Sequence, residues 1–255
     1  EGIGYFGLMT NLSMALGPMA GLFLYEYYSF SIMFESAIAV GLLGIIFASF
    51  IKAPAKTRVG RQKISLDRFI LTKAIPLGLN VIFFAMSYGM ISSFAAMYGK
   101  EIGVVSTGLF FTFMAAGMIS SRLFAGKMID RGQIRLITMI GLAVLSAGFG
   151  LFAFAADSFT YFSAASLIGI GFGVVNPAFQ SMIIDVGAHN QRGTANATYF
   201  TTYDLSIGIG MIAAGKIAEM SNLSTAYGFC AIMCALAIVV FLKIVAPYYQ
   251  RNKLQ

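Results

Sequence analysis

The sequence predicts an all-α fold: a polytopic membrane bundle of about eight transmembrane helices. Three observations predict it. Of 255 residues, 58% are hydrophobic and 11% charged, and the mean hydropathy is +0.82, more apolar surface than one soluble core of this length hides. The apolar residues fall in blocks of roughly 20 to 26, each long enough to cross about 30 Å of hydrocarbon at 1.5 Å per residue. The basic residues gather in alternate loops.

Taken in order, the first span, near residues 3–26, holds Gly17 and Pro18 in its middle, where proline removes a backbone hydrogen bond and glycines admit a neighbouring helix. The second, near 29–51, carries Glu35 close to its outer end, an interfacial position. The third, near 70–95, is interrupted by Asn80, Ser87, Tyr88, Ser92 and Ser93. The fourth and fifth, near 104–124 and 134–155, flank a short charged turn. Asn176, Pro177 and Gln180 interrupt the sixth, near 160–184, with Asn176 and Gln180 four apart on one face. The seventh, near 194–217, contains Asp204, and the eighth, near 224–247, contains Cys230 and Cys234. Those cysteines share a face and do not make a disulfide framework; small apolar packing residues is their ordinary role.

The formal charge of +7 is explained by where the charges lie. Lys52, Lys56, Arg58, Arg61, Lys63, Arg68 and Lys73 crowd the loop after the second span. Arg122, Lys127, Arg131 and Arg135 surround the next loop on that side, Arg192 follows the sixth span, and Lys243, Arg251 and Lys253 follow the eighth; the opposite loops hold Lys100 and Lys216. Basic loops stay cytoplasmic, so both chain ends are expected inside, with the lipid bilayer as partner and no need for nucleic acid. The long polar stretch IKAPAKTRVGRQKISLDRF marks a boundary. Residues 1–52 are then the last two helices of one bundle, 53–69 a cytoplasmic linker, and 70–255 a complete six-helix bundle. A weak echo at an offset of 191 residues, Gly2, Thr10 and Gly17 against Gly193, Thr201 and Gly208, fits a parallel repeat, and N-terminal helices of the same protein are expected to be missing.

GYFGLMTNLSMALGPMAG, through Gly4, Gly17, Pro18 and Gly21, resembles the antiporter motif of the major facilitator superfamily, with Ser13 and Leu22 in place of two glycines. SRLFAGKMIDRGQIR resembles its cytoplasmic signature through Arg122, Gly126, Asp130 and Arg131, one residue short before Gly132. With Asn176-Pro177 and RGTANATYFTTYDLSIGIG, the chain is similar to the drug and sugar efflux branch, closest to its arabinose-efflux-like permeases. The resemblance implies the fifth to twelfth helices of twelve, with the third and sixth spans here lining a central cavity. The signature loop is either an ion-pair latch between conformations or a set of solvated anchors.

Asp204 lies 12 residues from both Arg192 and Lys216, about 18 Å from each helix end. A carboxylate there costs roughly 2.5 to 3.5 kcal/mol to insert, so it is expected to face the bundle interior or a wet cavity, near the hydroxyls of Thr201, Thr202, Tyr203 and Ser206. It either carries protons between the two sides or fixes helix packing. Asn80, Tyr88, Ser92, Asn176, Gln180 and Tyr203 are substrate-pathway candidates, each alternatively a helix-to-helix hydrogen bond. The expected function is secondary transport of a small molecule, by proton-coupled efflux; a facilitator or symporter for a sugar-like or organic-anion solute, or a non-transporting fragment, are the alternatives. No catalytic constellation is present, and the string GMIAAGK at 210–216 is followed by Ile217 rather than the Ser or Thr of a phosphate-binding loop, so neither an enzyme nor a cofactor is expected. His189 has no partners at ligand spacing, and no metal site is expected.

Overall fold

A computed structural model describes residues 2–51 and 70–253, so the expected linker lies outside the described residues. The helices are α1 (Gly2–Tyr27), α2 (Phe30–Ser49), α3 (Ile75–Glu101), α4 (Leu109–Asp130), α5 (Ile134–Ala153), α6 (Ser158–Asp185), α7 (Arg192–Met220), α8 (Leu223–Val240) and α9 (Ala246–Asn252). Single 3₁₀ turns at Thr72–Ala74 and His189–Gln191 lead into α3 and α7, and a π turn at Phe241–Val245 joins α8 to α9 as one continuous rod. The eight expected spans are therefore present, and most run past their apolar blocks into polar ends that hydropathy does not register. Among the described residues, six stretches are long and apolar enough to cross a membrane; α1 and α7, the latter with its polar centre, are not among them.

Six of the rods make one bundle. α6 lies between α4 and α5, α3 pairs with α7, and the α8–α9 rod packs on α3 and α5. α1 docks on α4, and α2 packs against α1 while burying none of its residues.

Lipid tails are as apolar as leucine, so helices associate by close packing rather than by escape from water. Glycine makes that approach here. A Cβ on Gly89 of α3 would fall on the Ile207 carbonyl of α7, and one on Gly210 of α7 would fall on the Met86 carbonyl of α3. The same reciprocal contact joins α4 to α6, with Gly117 against the Ser166 carbonyl and Gly169 against the Met114 carbonyl.

Hydrogen bonds tie the ends. At one end the Tyr98 hydroxyl donates to the Ala153 carbonyl at 3.1 Å, Ser224 donates to the same oxygen at 2.6 Å, and Tyr161 donates to the Ala95 carbonyl at 2.8 Å. At the other, the Leu71 amide donates to Thr198 Oγ1 at 2.9 Å, Tyr248 to the Lys73 carbonyl at 3.0 Å and Tyr249 to Asp185 at 2.7 Å. This second end carries Lys73, Arg192 and Arg251. Caps finish the opposite turns: Asp157 accepts from the Thr160 amide at 2.8 Å in a capping box, and Asn222 accepts from the Thr225 amide at 2.8 Å.

The antiporter-like stretch behaves differently from expectation. Pro18 sits inside an unbroken α1, and Gly17 and Gly21 have nothing within 4 Å of the position a Cβ would take. No described helix makes the tight contact that the Gly-Pro pair suggested. α1 meets α4 one position round the helix instead, where Leu22 lies against Gly108. Gly4 also lies in α1.

Two outcomes check this packing. Gly210→Val should lower the thermal unfolding midpoint in detergent, since an overpacked core costs about 1–3 kcal/mol or more, whereas Gly208→Ala, at an open position, should leave it unchanged or raised. The Thr160 amide and hydroxyl hold the Asp157 carboxyl below its ordinary pKa. The cap therefore contributes its full stability above the ordinary carboxylate range and loses it as pH falls through the lowered value. Asp157→Ala should accordingly destabilise the protein at neutral pH, with the difference from the parent shrinking in acid, as read by unfolding midpoints across a pH series.

Candidate functional site

The pairing of α3 with α7, and of α6 with both, brings their mid-span polar and aromatic residues to one junction. Tyr203 is its centre. It is 2% exposed and stacks on Tyr199, ring centroids 5.7 Å apart at 27°. Tyr88 and Phe84 of α3 approach it at 6.1 and 6.3 Å. On α6, Phe172 meets Tyr88 edge-on at 5.3 Å and Phe179 meets Phe84 at 5.2 Å.

Asn176 projects into this cluster from α6, which stays unbroken through Pro177. Its Nδ2 donates to the Tyr203 hydroxyl at 3.3 Å, while its Oδ1 is buried with no hydrogen-bond partner. One turn along α6, Gln180 donates to Asn196 Oδ1 of α7 at 2.8 Å. The junction thus presents an amide oxygen, a phenol and a second amide pair, framed by aromatic walls. Such a set recognises polar groups by hydrogen bonds and flat apolar groups by contact.

Four of the expected pathway residues, Tyr88, Asn176, Gln180 and Tyr203, meet at this junction. The other two do not. Asn80 is buried on the α8 side of α3, where its Nδ2 donates to the Ala237 carbonyl at 3.0 Å. Ser92 turns back to the Gly89 carbonyl of its own helix at 3.0 Å.

Asp204 was expected to face either the bundle interior or a wet cavity. It does not lie in the interior of the bundle: the side chain is exposed, on a face of α7 shared with Ala197 and Thr201 and followed by Gly208, where no described helix packs. The hydroxyls of Tyr203 and Ser206 turn inward instead, Ser206 donating to the Thr202 carbonyl at 2.6 Å. The reason is azimuth: at 100° per residue, burying Tyr203 and Ser206 leaves the residue after Tyr203 on the open side.

Arg122 also stands apart from the loop it was expected to join. It is half-buried within α4, two turns above the helix end, and interacts electrostatically with the Tyr199 phenol, as does Asp204. At the loop, Gly132 adopts φ +76°, a left-handed turn that glycine accepts without strain. Gly126 is open and Arg131 exposed; the Asp130 and His189 side chains lie outside the described residues. Tyr199 and Asn196 were not anticipated. Their signal was spacing: Asn196, Tyr199 and Tyr203 recur at i, i+3 and i+7, one stripe of α7.

The Asn176–Tyr203 contact has a measurable consequence. Tyr203→Phe removes the acceptor and should cost about 1–3 kcal/mol by leaving a buried amide group unsatisfied. A double-mutant cycle of Tyr203→Phe with Asn176→Ala, read by chemical unfolding, should show coupling of about 0.5–1.5 kcal/mol.

Comparison with known proteins agrees with this architecture. The Major Facilitator Superfamily profile matches residues 1–207 and, in a second register, 77–254. The staphylopine export protein of Staphylococcus aureus is 20% identical over 97% of this chain and 66% of its own length. An uncharacterized MFS-type transporter of Pseudomonas aeruginosa is 28% identical over 76% of this chain and 48% of its own. The uncharacterized MFS-type transporter YhhS of Escherichia coli (strain K12) is 23% identical over 93% of this chain and 58% of its own. The chain therefore spans about half to two thirds of the relatives it matches. With its helical bundle, its apolar spans and a profile match across nearly its whole length, the chain belongs to the Major Facilitator Superfamily.

Proposed function

We propose that this chain is part of a proton-coupled secondary transporter that exports a small molecule by alternating access. The observation that carries the reading is Asp204, a carboxylate at mid-depth on an uncovered face of α7, one residue from a tyrosine bound to Asn176. Left against acyl chains, that carboxylate would be costly, so the face is assigned to a water-filled passage shared with another bundle. In this reading Asp204 takes a proton from one side of the membrane and releases it to the other, and the substrate sits against the Tyr203–Asn176 junction beside it.

The division follows from the same reading. Residues 70–255 form the C-terminal bundle, 1–52 the last two helices of the N-terminal one and 53–69 the cytoplasmic linker; both ends lie in the cytoplasm of a bacterial inner membrane. Further helices of the same protein line the other half of the passage. Bundles clamped by glycine contacts move as rigid bodies, which suits rocking about a fixed site. Efflux as the direction is supported by the printed name of the staphylococcal relative, an export protein.

The test uses inverted membrane vesicles bearing the full-length protein, with staphylopine and ethidium as probes. An imposed pH gradient should drive accumulation of a probe, and a protonophore should abolish it. Asp204→Asn should abolish gradient-driven accumulation while the protein remains in the membrane at parental abundance. Accumulation by the variant at the parental rate rules out the coupling role, and probe entry that only equilibrates across the membrane, with or without the protonophore, points to a facilitator instead.

A further inference from the structure

About a quarter-turn round α3 from the aromatic junction, the seam with α8 collects sulfur. Cys230 and Cys234 lie one turn apart on one face of α8. Met90 of α3 brings its Sδ to 3.0 Å from Cys230 Sγ. Ser87, one turn earlier on α3, sets its hydroxyl 3.6 Å from Cys234 Sγ. Cys234 is 0% exposed, and Ser87, Met90 and Cys230 are each 1% exposed. A free cysteine packs as a small hydrophobe, which accounts for burial alone. It does not account for two thiols, a thioether and a hydroxyl converging from two helices, with a sulfur pair nearer than the roughly 3.5–4.0 Å of ordinary non-bonded packing between carbon atoms.

We propose that Met90, Cys230 and Cys234 form a binding site for a soft monovalent cation of the copper(I) or silver(I) type. The chemistry of the donors selects the ion. Thiolate and thioether ligands suit soft metals, whereas calcium and magnesium need several oxygens and the seam offers the Ser87 hydroxyl. Charge selects it as well. When a monovalent cation enters, one cysteine S–H bond breaks, a sulfur–metal bond forms and the proton leaves to water; the second thiol and the thioether donate lone pairs. The filled site is then neutral, which an apolar interior tolerates. The helix pair is a suitable frame, because both cysteines stand on one rod and the methionine on its neighbour, so the metal bridges α3 and α8.

The test titrates the purified chain with silver nitrate in chloride-free buffer and measures bound silver per chain after desalting, together with the unfolding midpoint. One equivalent is expected, with a raised midpoint, since a ligand of the folded state stabilises it. Cys230→Ala with Cys234→Ala should lose both effects. Met90→Leu, which keeps the packing volume, should weaken binding roughly tenfold or more, as removal of supporting groups at metal sites does. No silver bound by the parent overturns the proposal, as does stoichiometric binding retained by the double variant. Unchanged affinity in Met90→Leu shows two independent thiols rather than a built site and also overturns it. Should the double variant fail to fold, Met90→Leu decides alone.

Discussion

Backbone-to-backbone contact at glycine is the constraint on which the bundle depends. In hydrocarbon there is no water to satisfy a stray amide and little hydrophobic gain from joining two helices, so association rests on how closely two rods can lie. Gly89 and Gly210 bring α3 and α7 together at one level, and Gly117 and Gly169 do the same for α4 and α6. Each reciprocal pair fixes both separation and rotation. Rotation is the part that matters for chemistry, because it decides which stripe of each helix is covered.

Two environments on α3 follow from that fixed rotation. Phe84 and Tyr88 face α6 and α7 and share in the aromatic and amide junction. Asn80, Ser87 and Met90 face α8, where they meet a carbonyl and two thiols. One helix thus separates a polar junction from a sulfur-lined seam, and neither needs residues from the other.

Hydropathy made the spans legible, since eight apolar blocks translate directly into helices of membrane length. Loop charge groups the basic residues on one side, and Tyr248 with Tyr249 draws α9 onto the same end as Lys73 and Asp185. Azimuth was not legible. Counting residues placed Asp204 at mid-depth and could not say that Tyr203 takes the inner position beside it, because that choice is made by Gly210 against Met86. Asn80 was grouped with Tyr88 on polarity alone, although eight residues turn a helix by about 80° beyond two full revolutions. The Gly-Pro motif of α1 fell to the same limit: composition announces a contact and does not name the partner.

The widened turn at Phe241–Val245 has a consequence for the last rod. Pro247, at the start of α9, brings no amide hydrogen to the preceding turn, and a π turn accommodates the orphaned carbonyl by winding in one surplus residue. Everything downstream is thereby swung about 100° from the heading a regular α8 would keep. Adjacent tyrosines, which a straight rod would aim elsewhere, become paired moorings to two different helices, so a single residue of slack sets where the chain's final helix is anchored.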